Sequence, residues 1–233
     1  ITVIKNIDYL KINKIKINGA FICNPSSMHV STAEWCIKNN IPIFIEKPVA
    51  TNSNDLKKIN SLIKSKKKLV NVVGYQLRFN PLIKFIKKYC FDNEKLGKIF
   101  NCEIYHGEHV DNFHNYESYK ASYASKKKLG GGVALTQIHE LDYLNYFFSK
   151  YKLLESKYIS KKISNLKMDV EDNFISIFKF KSKLKKNFSL AKITCSYVQV
   201  PNKRTIFVSC ELGSLYADLN NLEIKIFRPN KKD

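Results

Sequence analysis

The chain has 233 residues, 44% of them hydrophobic and 12% aromatic, which excludes a disordered segment and allows one large domain or two small ones with a real core. The formal net charge is +20, but only three of the forty basic residues are arginines, Arg78, Arg204 and Arg228. Bidentate recognition of phosphates and base edges favours arginine, so no nucleic-acid partner is expected, and the charge suits an anionic small-molecule substrate instead.

The sequence shows no signal peptide and no apolar run that would span a bilayer, so a soluble, cytoplasmic protein without a membrane partner is expected. The six cysteines (Cys23, Cys36, Cys90, Cys102, Cys195, Cys210) are scattered and mostly in apolar surroundings, which favours buried free thiols over disulfides or zinc.

Residues 1–18 are rich in lysine and isoleucine and give no clean element. Gly19 to Cys23 reads as a buried strand, ended by Asn24-Pro25-Ser26-Ser27, and Ser27 or Ser31 is placed to cap the next helix, which carries Val30, Ala33, Trp35, Cys36 and Ile37. After Asn39-Asn40, the apolar run Ile41 to Ile45 reads as a strand that stops at Glu46-Lys47-Pro48. A carboxylate and an ammonium therefore sit at the carboxyl end of a strand, the edge where open α/β sheets bind ligands. A solvated strand end accounts for them equally well.

Thr51-Asn52-Ser53 opens a second helix with Leu56, Ile59, Leu62 and Ile63 at helical spacing, and Leu69 to Gly74 is a third strand. Strand alternating with helix predicts a parallel sheet. No G-x-G-x-x-G occurs anywhere in the chain, so the dinucleotide phosphate loop is expected to lie outside it.

Four pieces of punctuation then occur in order: Asn24-Pro-Ser-Ser-Met-His29, Glu46-Lys47-Pro48, Gly74-Tyr-Gln-Leu-Arg-Phe-Asn-Pro81, and Gly130-Gly-Gly-Val leading to His139-Glu-Leu-Asp-Tyr143. Together they resemble the Gfo/Idh/MocA family of NAD(P)-dependent oxidoreductases, in the branch that acts on sugars and nucleotide sugars. Asp169-Val-Glu-Asp-Asn, Tyr197-Val-Gln-Val-Pro201 and Cys210 to Asp218 agree with it.

The resemblance implies an α/β fold: a partial Rossmann domain with a parallel sheet over residues 1–80, the C-terminal half of a dinucleotide-binding domain, followed over 81–233 by an α/β substrate and oligomerisation domain with a large, mostly antiparallel sheet. That sheet's open face implies a homo-oligomer. The chain resembles the middle of a family member, short of the phosphate-loop half at one end and of the return helices at the other. The cofactor is NAD or NADP; the residue that would choose between them is expected before residue 1.

In the second half, Pro81 to Phe91 predicts a helix with Leu82, Phe85, Ile86 and Tyr89 on one face, and Lys98 to Glu108 a strand. Val110 to Lys128 is a long polar and aromatic loop, which reads either as an ordinary surface loop or, by the resemblance, as a substrate-facing flap. The three glycines allow a sharp, close-packed turn. The following helix is predicted to run to about Phe148, burying Leu135, Ile138, Leu141, Leu144 and Phe148. Thereafter strands are predicted over 153–160, 173–181, 188–198 and 205–211, with short pieces to Phe227.

Oxidising an alcohol carbon requires a base for the hydroxyl proton and benefits from a cation that fixes the oxygen. The resemblance assigns these roles to His139 and Lys47. Without it, a lone helix histidine reads first as structural. Many relatives carry an aspartate three or four residues before the histidine; here those positions are Thr136 and Leu135, which moves work to Lys47. Asp142 either orients His139 or is a surface carboxylate.

The resemblance also places Asn24, Pro25, His29, Glu46 and Lys47 at the cofactor, and Arg78, Lys120, Tyr123, Thr136 and His139 at the substrate. Arg78 reads either as a grip on a substrate anion or as the partner of a carboxylate of the fold. His106, His109 and His114 lack metal-ligand spacing, and no metal is expected. The alternative to an enzyme is a non-catalytic sugar-binding or oligomerisation module.

Overall fold

A computed structural model describes residues 15–114, 116–184 and 187–229; most of the lysine- and isoleucine-rich start lies outside them. The chain divides into two compact units, Ile1–Gly74 and Tyr75–Asp233.

The first unit holds three parallel strands in the order β1 (Ala20–Ile22), β2 (Ile43–Ile45), β3 (Asn71–Val73). Two helices alternate with them, α1 (His29–Lys38) and α2 (Ser53–Ser65). Val30, Ala33, Cys36 and Ile37 of α1 pack with Ile22, Ile41, Ile43, Ile45 and Ile59 into one apolar cluster. Asn52 starts α2 by accepting the Asp55 amide hydrogen bond at 2.9 Å.

Three expectations differ here. Neither Ser27 nor Ser31 caps α1, because the short 3-10 turn Ser26–Met28 runs straight into it and already uses its first amides. Of the α2 stripe only Ile59 is buried, and Leu56 is 52% exposed. The third strand is short, with Val70 and Val72 exposed, so its apolar run does not mark a fully buried strand.

The second unit is built on a seven-stranded sheet: β4 (Ile99–Gly107), β5 (Tyr151–Lys161), β6 (Asn173–Ser182), β7 (Phe188–Ser196), β8 (Lys203–Cys210), β9 (Gly213–Asp218) and β10 (Glu223–Phe227). The order is β10-β9-β8-β4-β7-β6-β5. Every neighbouring pair is antiparallel except β4 with β7. A parallel three-stranded sheet followed by a large, mostly antiparallel one is the α/β architecture the sequence predicts.

Strand residues alternate, so one face is packed and the other carries Ile175, Ile177, Phe188, Leu190 and Phe207 in solvent. The packed face meets helices α3 (Pro81–Ile86), α4 (Val133–Thr136) and α5 (His139–Phe147) in one core, where Phe91 stacks on Phe147 and Phe148 on Phe180.

The helix predicted from Pro81 begins as expected, with Asn80 capping and proline in the first turn. It then widens into a π-helical segment, Lys87–Asp92, and its inward face is Ile83, Ile86, Cys90 and Phe91. Leu82 and Tyr89 pack against this core at its margin, and Phe85, 42% exposed, stacks on Tyr89. The polar loop contains three short 3-10 turns, Val110–Asn112, Tyr123–Ser125 and Lys127–Leu129.

The helix predicted after the glycines breaks at Gln137 and Ile138 into α4 and α5. Leu135, Ile138 and Leu141 are only half-buried, while Thr136, His139, Glu140 and Asp142 are buried. Leu144 and Phe148 of the expected stripe are in the core, but apolar periodicity misses the rest of this face because much of it is held by charge pairs. Five of the six cysteines are buried free thiols and Cys23 is exposed. Among the described residues no helix is long and apolar enough to cross a membrane.

Candidate functional site

In the first unit the strands are parallel, so Asn24-Pro25, Glu46-Lys47-Pro48 and Gly74 all follow carboxyl ends of one sheet. A Cβ on Gly74 would stand 3.0 Å from Glu46 Oε1 and 3.1 Å from Phe44 Cζ. Glycine therefore lets the end of β3 pass close to the Glu46 carboxylate. The Lys47 amide donates to Glu46 Oε2 at 3.3 Å, and the Lys47–Pro48 peptide is cis.

His29 is 1% exposed. Its Nδ1 lies 2.7 Å from the Pro48 carbonyl oxygen and its Nε2 lies 2.9 Å from that of Asn24. Carbonyl oxygens only accept, so both contacts are hydrogen bonds only when the ring carries two protons. His29, expected at the cofactor, is thus buried between two loops, with a backbone carbonyl facing each ring nitrogen.

Asn24 Nδ2 donates to Thr32 Oγ1 at 3.0 Å. Its Oδ1 is buried with no hydrogen-bond partner among the described residues. An unmatched buried acceptor at a parallel strand end fits a donor such as a ribose hydroxyl or a carboxamide. The first unit is thus compatible with a dinucleotide at Asn24, Pro25, Glu46 and Lys47.

In the second unit His139 opens α5, 6% exposed, with the Tyr75 ring edge-on at 6.1 Å. Burial, reinforced by the charge of Asp142, pushes the Tyr75 phenol up, so it stays protonated. Thr136 is buried beside the Tyr197 phenol, whose hydroxyl lies 3.5 Å from the Ala124 carbonyl oxygen. Lys120 is exposed, its ammonium 5.9 Å from the centre of the Tyr119 ring.

Tyr123 is fixed through its backbone. A Cβ on Gly131 would overlap the carbonyls of Tyr123 and Ala124, and one on Gly132 (φ 108°) would overlap the Glu171 carboxylate. Glu171 in turn accepts the Ala134 amide at 3.2 Å. The glycine turn is therefore what sets the loop against the start of α4.

The cluster around Glu140 has no counterpart in the sequence reading. Glu140 is fully buried; its Oε1 accepts from Arg204 Nε at 2.9 Å and lies 2.6 Å from Arg204 Nη2 and 3.1 Å from His106 Nδ1. Burial pushes its carboxyl up, but His106 and Arg204 outweigh this and hold it at about 2. Asp142 accepts a parallel fork from Arg78, Nε at 2.8 Å and Nη2 at 2.6 Å.

Arg78 thus pairs with a carboxylate of the fold through Nε and Nη2, while its side chain remains 42% exposed. Asp142 is neither a surface carboxylate nor shown to orient His139 directly. Gln137 is 3% exposed, with neither amide atom hydrogen-bonded among the described residues. The rarity of arginine was the available signal for the charge pairs; nothing in the sequence marked Gln137. Among the described residues no group of three or more His, Cys, Asp and Glu gathers as a metal site.

Residues 1–74 match the oxidoreductase family with an NAD-binding Rossmann fold, and residues 88–216 match the GFO/IDH/MocA C-terminal domain. No curated protein sequence matches the chain. Solved structures do. One is a putative oxidoreductase from Thermotoga maritima, with TM-score 0.75, 17% identity, and 94% of this chain and 65% of that one covered. Another is myo-inositol 2-dehydrogenase from Lactobacillus plantarum, with TM-score 0.73, 17% identity, and 92% and 61% covered.

A third is the WlbA dehydrogenase from Bordetella pertussis in complex with NADH and UDP-GlcNAcA, with TM-score 0.76, 17% identity, and 99% and 64% covered. At such identities the likeness is one of fold, and the chain spans 61–65% of the length of these three. The C-terminal match alone covers more than half of the residues, and the chain belongs to the GFO/IDH/MocA oxidoreductase family.

Proposed function

We propose that the protein is an NAD(P)-dependent oxidoreductase that transfers a hydride between the hydroxyl carbon of a sugar or nucleotide sugar and nicotinamide. The observation that carries this is the paired family match over both units. The sugar class is supported by the fold shared with an inositol dehydrogenase and with a dehydrogenase holding NADH and a UDP-sugar. Residues 1–80 would serve as the dinucleotide-binding part and 81–233 as the substrate and oligomerisation part.

Asn24, Pro25 and Glu46 are proposed to border the dinucleotide, with the unmatched Asn24 Oδ1 as acceptor. The nicotinamide, when bound, supplies the hydride acceptor or donor. Lys47 would hold the reacting hydroxyl by charge, and His139 would take its proton in oxidation and return it in reduction. As the proton leaves oxygen, the C–H bond gives up hydrogen with both electrons and a carbonyl remains. Tyr123 and Lys120 are proposed to contact the sugar from the loop. NADP remains an alternative to NAD.

Exposed Ile175, Ile177, Phe188 and Leu190 on the outer sheet face favour a homo-oligomer through that face. The same face supports a second reading, an oligomerisation module without catalysis. The buried free thiols support a reducing compartment, the cytoplasm.

The test is turnover of NAD and NADP with a panel of UDP-sugars, free sugars and inositol, followed by reduced-nicotinamide absorbance. At least one sugar should be turned over, and Lys47→Ala and His139→Ala should each lower kcat by roughly 10²–10⁴-fold. No turnover with any member, or unchanged kcat in the His139→Ala protein, would overturn the reading.

A further inference from the structure

The first turn of α5 contains His139 and two carboxylates, Glu140 and Asp142. Two residues apart on a helix, the carboxylates point about 200° apart around its axis. Each meets a guanidinium from a different part of the second unit. Arg78 comes from the 3-10 turn Gln76–Phe79 and forks onto Asp142. Arg204 comes from β8 and places Nε and Nη2 on Glu140 Oε1.

His106, the cross-strand partner of Arg204 on β4, adds Nδ1 at 3.1 Å from the same oxygen. Its Nε2 lies 3.9 Å from Glu108 Oε2, and the fully buried Tyr143, one turn on from Glu140, lies close enough to both Glu140 and Arg204 to feel their charges. The buried Cys195 thiol of β7 also lies within reach of the Glu140 and Arg204 charges.

Nearly all of the basic residues in this chain are lysines. Of the three arginines, two pair with carboxylates of this one helical turn. Lysine brings a point charge, whereas guanidinium presents N–H groups in a fixed plane that hold a carboxylate's direction as well as its charge. Breaking either pair would strand a buried charge, so rotation of the turn is opposed from both sides. Positions 135 and 136 are Leu and Thr, so the preceding turn supplies no carboxylate to this arrangement.

We propose that the Arg78–Asp142 and Arg204–Glu140 pairs are positioning devices for His139, fixing the rotation of its helical turn and the charge around its ring. The inference rests on the proposed role of His139 in proton transfer, and its test has one readout that does not need turnover.

That readout is the NMR titration of the His139 ring in the full chain. Glu140→Gln removes an anion and leaves Arg204 unmatched, so the midpoint should fall by about half a pH unit or more. Asp142→Asn should act in the same direction from the other side, while the ring of His29 in the first unit should not respond. In kinetics, Arg78→Lys and Arg204→Lys keep the charge but lose the planar fork. Each should lower kcat about tenfold or more, with KM for the dinucleotide changed less than about threefold.

Circular dichroism identifies the folded variants. If Glu140→Gln does not fold, Arg204→Lys and His106→Gln carry the titration, with a smaller displacement expected. Folded variants in which neither the His139 titration nor kcat changes would overturn the inference and leave the pairs as props of the fold. If the wild type turns over no sugar, the titration alone decides, so the two proposals fail separately.

Discussion

The two units bury different things. Among the described residues, the first packs nine buried apolar residues around three short strands, while the second packs twenty-eight around seven strands. The first buries a histidine against backbone carbonyls; the second buries a glutamate and an aspartate against arginines. Apolar packing tolerates loss of contact by degrees, but a buried charge without its partner is penalised abruptly. The second unit should therefore be the more stable and the more brittle of the two.

The chain's single tryptophan, Trp35, lies in α1. Its fluorescence therefore follows the first unit, and tyrosine circular dichroism, from the side chains about the second core, follows the second. The strongest break in the comparison should be Glu140→Ala, which strands Arg204 and should cost the second unit about 3–5 kcal/mol in urea melts. The Trp35 transition should stay in place; a shared shift would show that the units unfold as one.

Acid should separate them similarly. The Glu140 carboxyl is held at about 2, below its unfolded value of about 4.3. A depressed group contributes stability above the unfolded value and loses it as pH falls through the folded one. The second unit should therefore lose on the order of 3 kcal/mol between about pH 5 and pH 2. Glu140→Gln should flatten that slope, as read from urea melts at stepped pH.

Ile37→Ala sharpens the other side. Ile37 is fully buried in the small cluster, so its truncation should cost about 2–4 kcal/mol at the Trp35 transition and leave the tyrosine signal unmoved. Glu34→Gln should do least. Glu34 pairs with Lys38 and Lys58 at the surface, and any change in the Trp35 transition should disappear in high salt.

The same difference explains what was legible in the sequence. The order of strands and helices, the Glu46-Lys47-Pro48 strand end and the glycine turn follow from local chemistry: apolar runs, proline, and positions where a side chain would collide. The inward face of α5 does not, because Glu140 and Asp142 are buried by arginines that lie 64 residues away along the chain in both cases. Apolar periodicity finds Leu144 and Phe148 in the core but also points to Leu135, Ile138 and Leu141, which are only half-buried. The surroundings of His29 are illegible for a related reason: its ring nitrogens face carbonyls of Asn24 and Pro48, in loops outside its own helix. The π-helical segment after Ile86 leaves no compositional mark.

The central claim is that this chain holds a nicotinamide dinucleotide, and calorimetric titration of the full chain with NADH and with NADPH tests it most directly. Saturable binding of one of them, weakened when Asn24→Ala removes the unmatched acceptor, is the predicted result. A folded chain that binds neither would contradict the account, leaving the family relationship and the fold without the activity built on them.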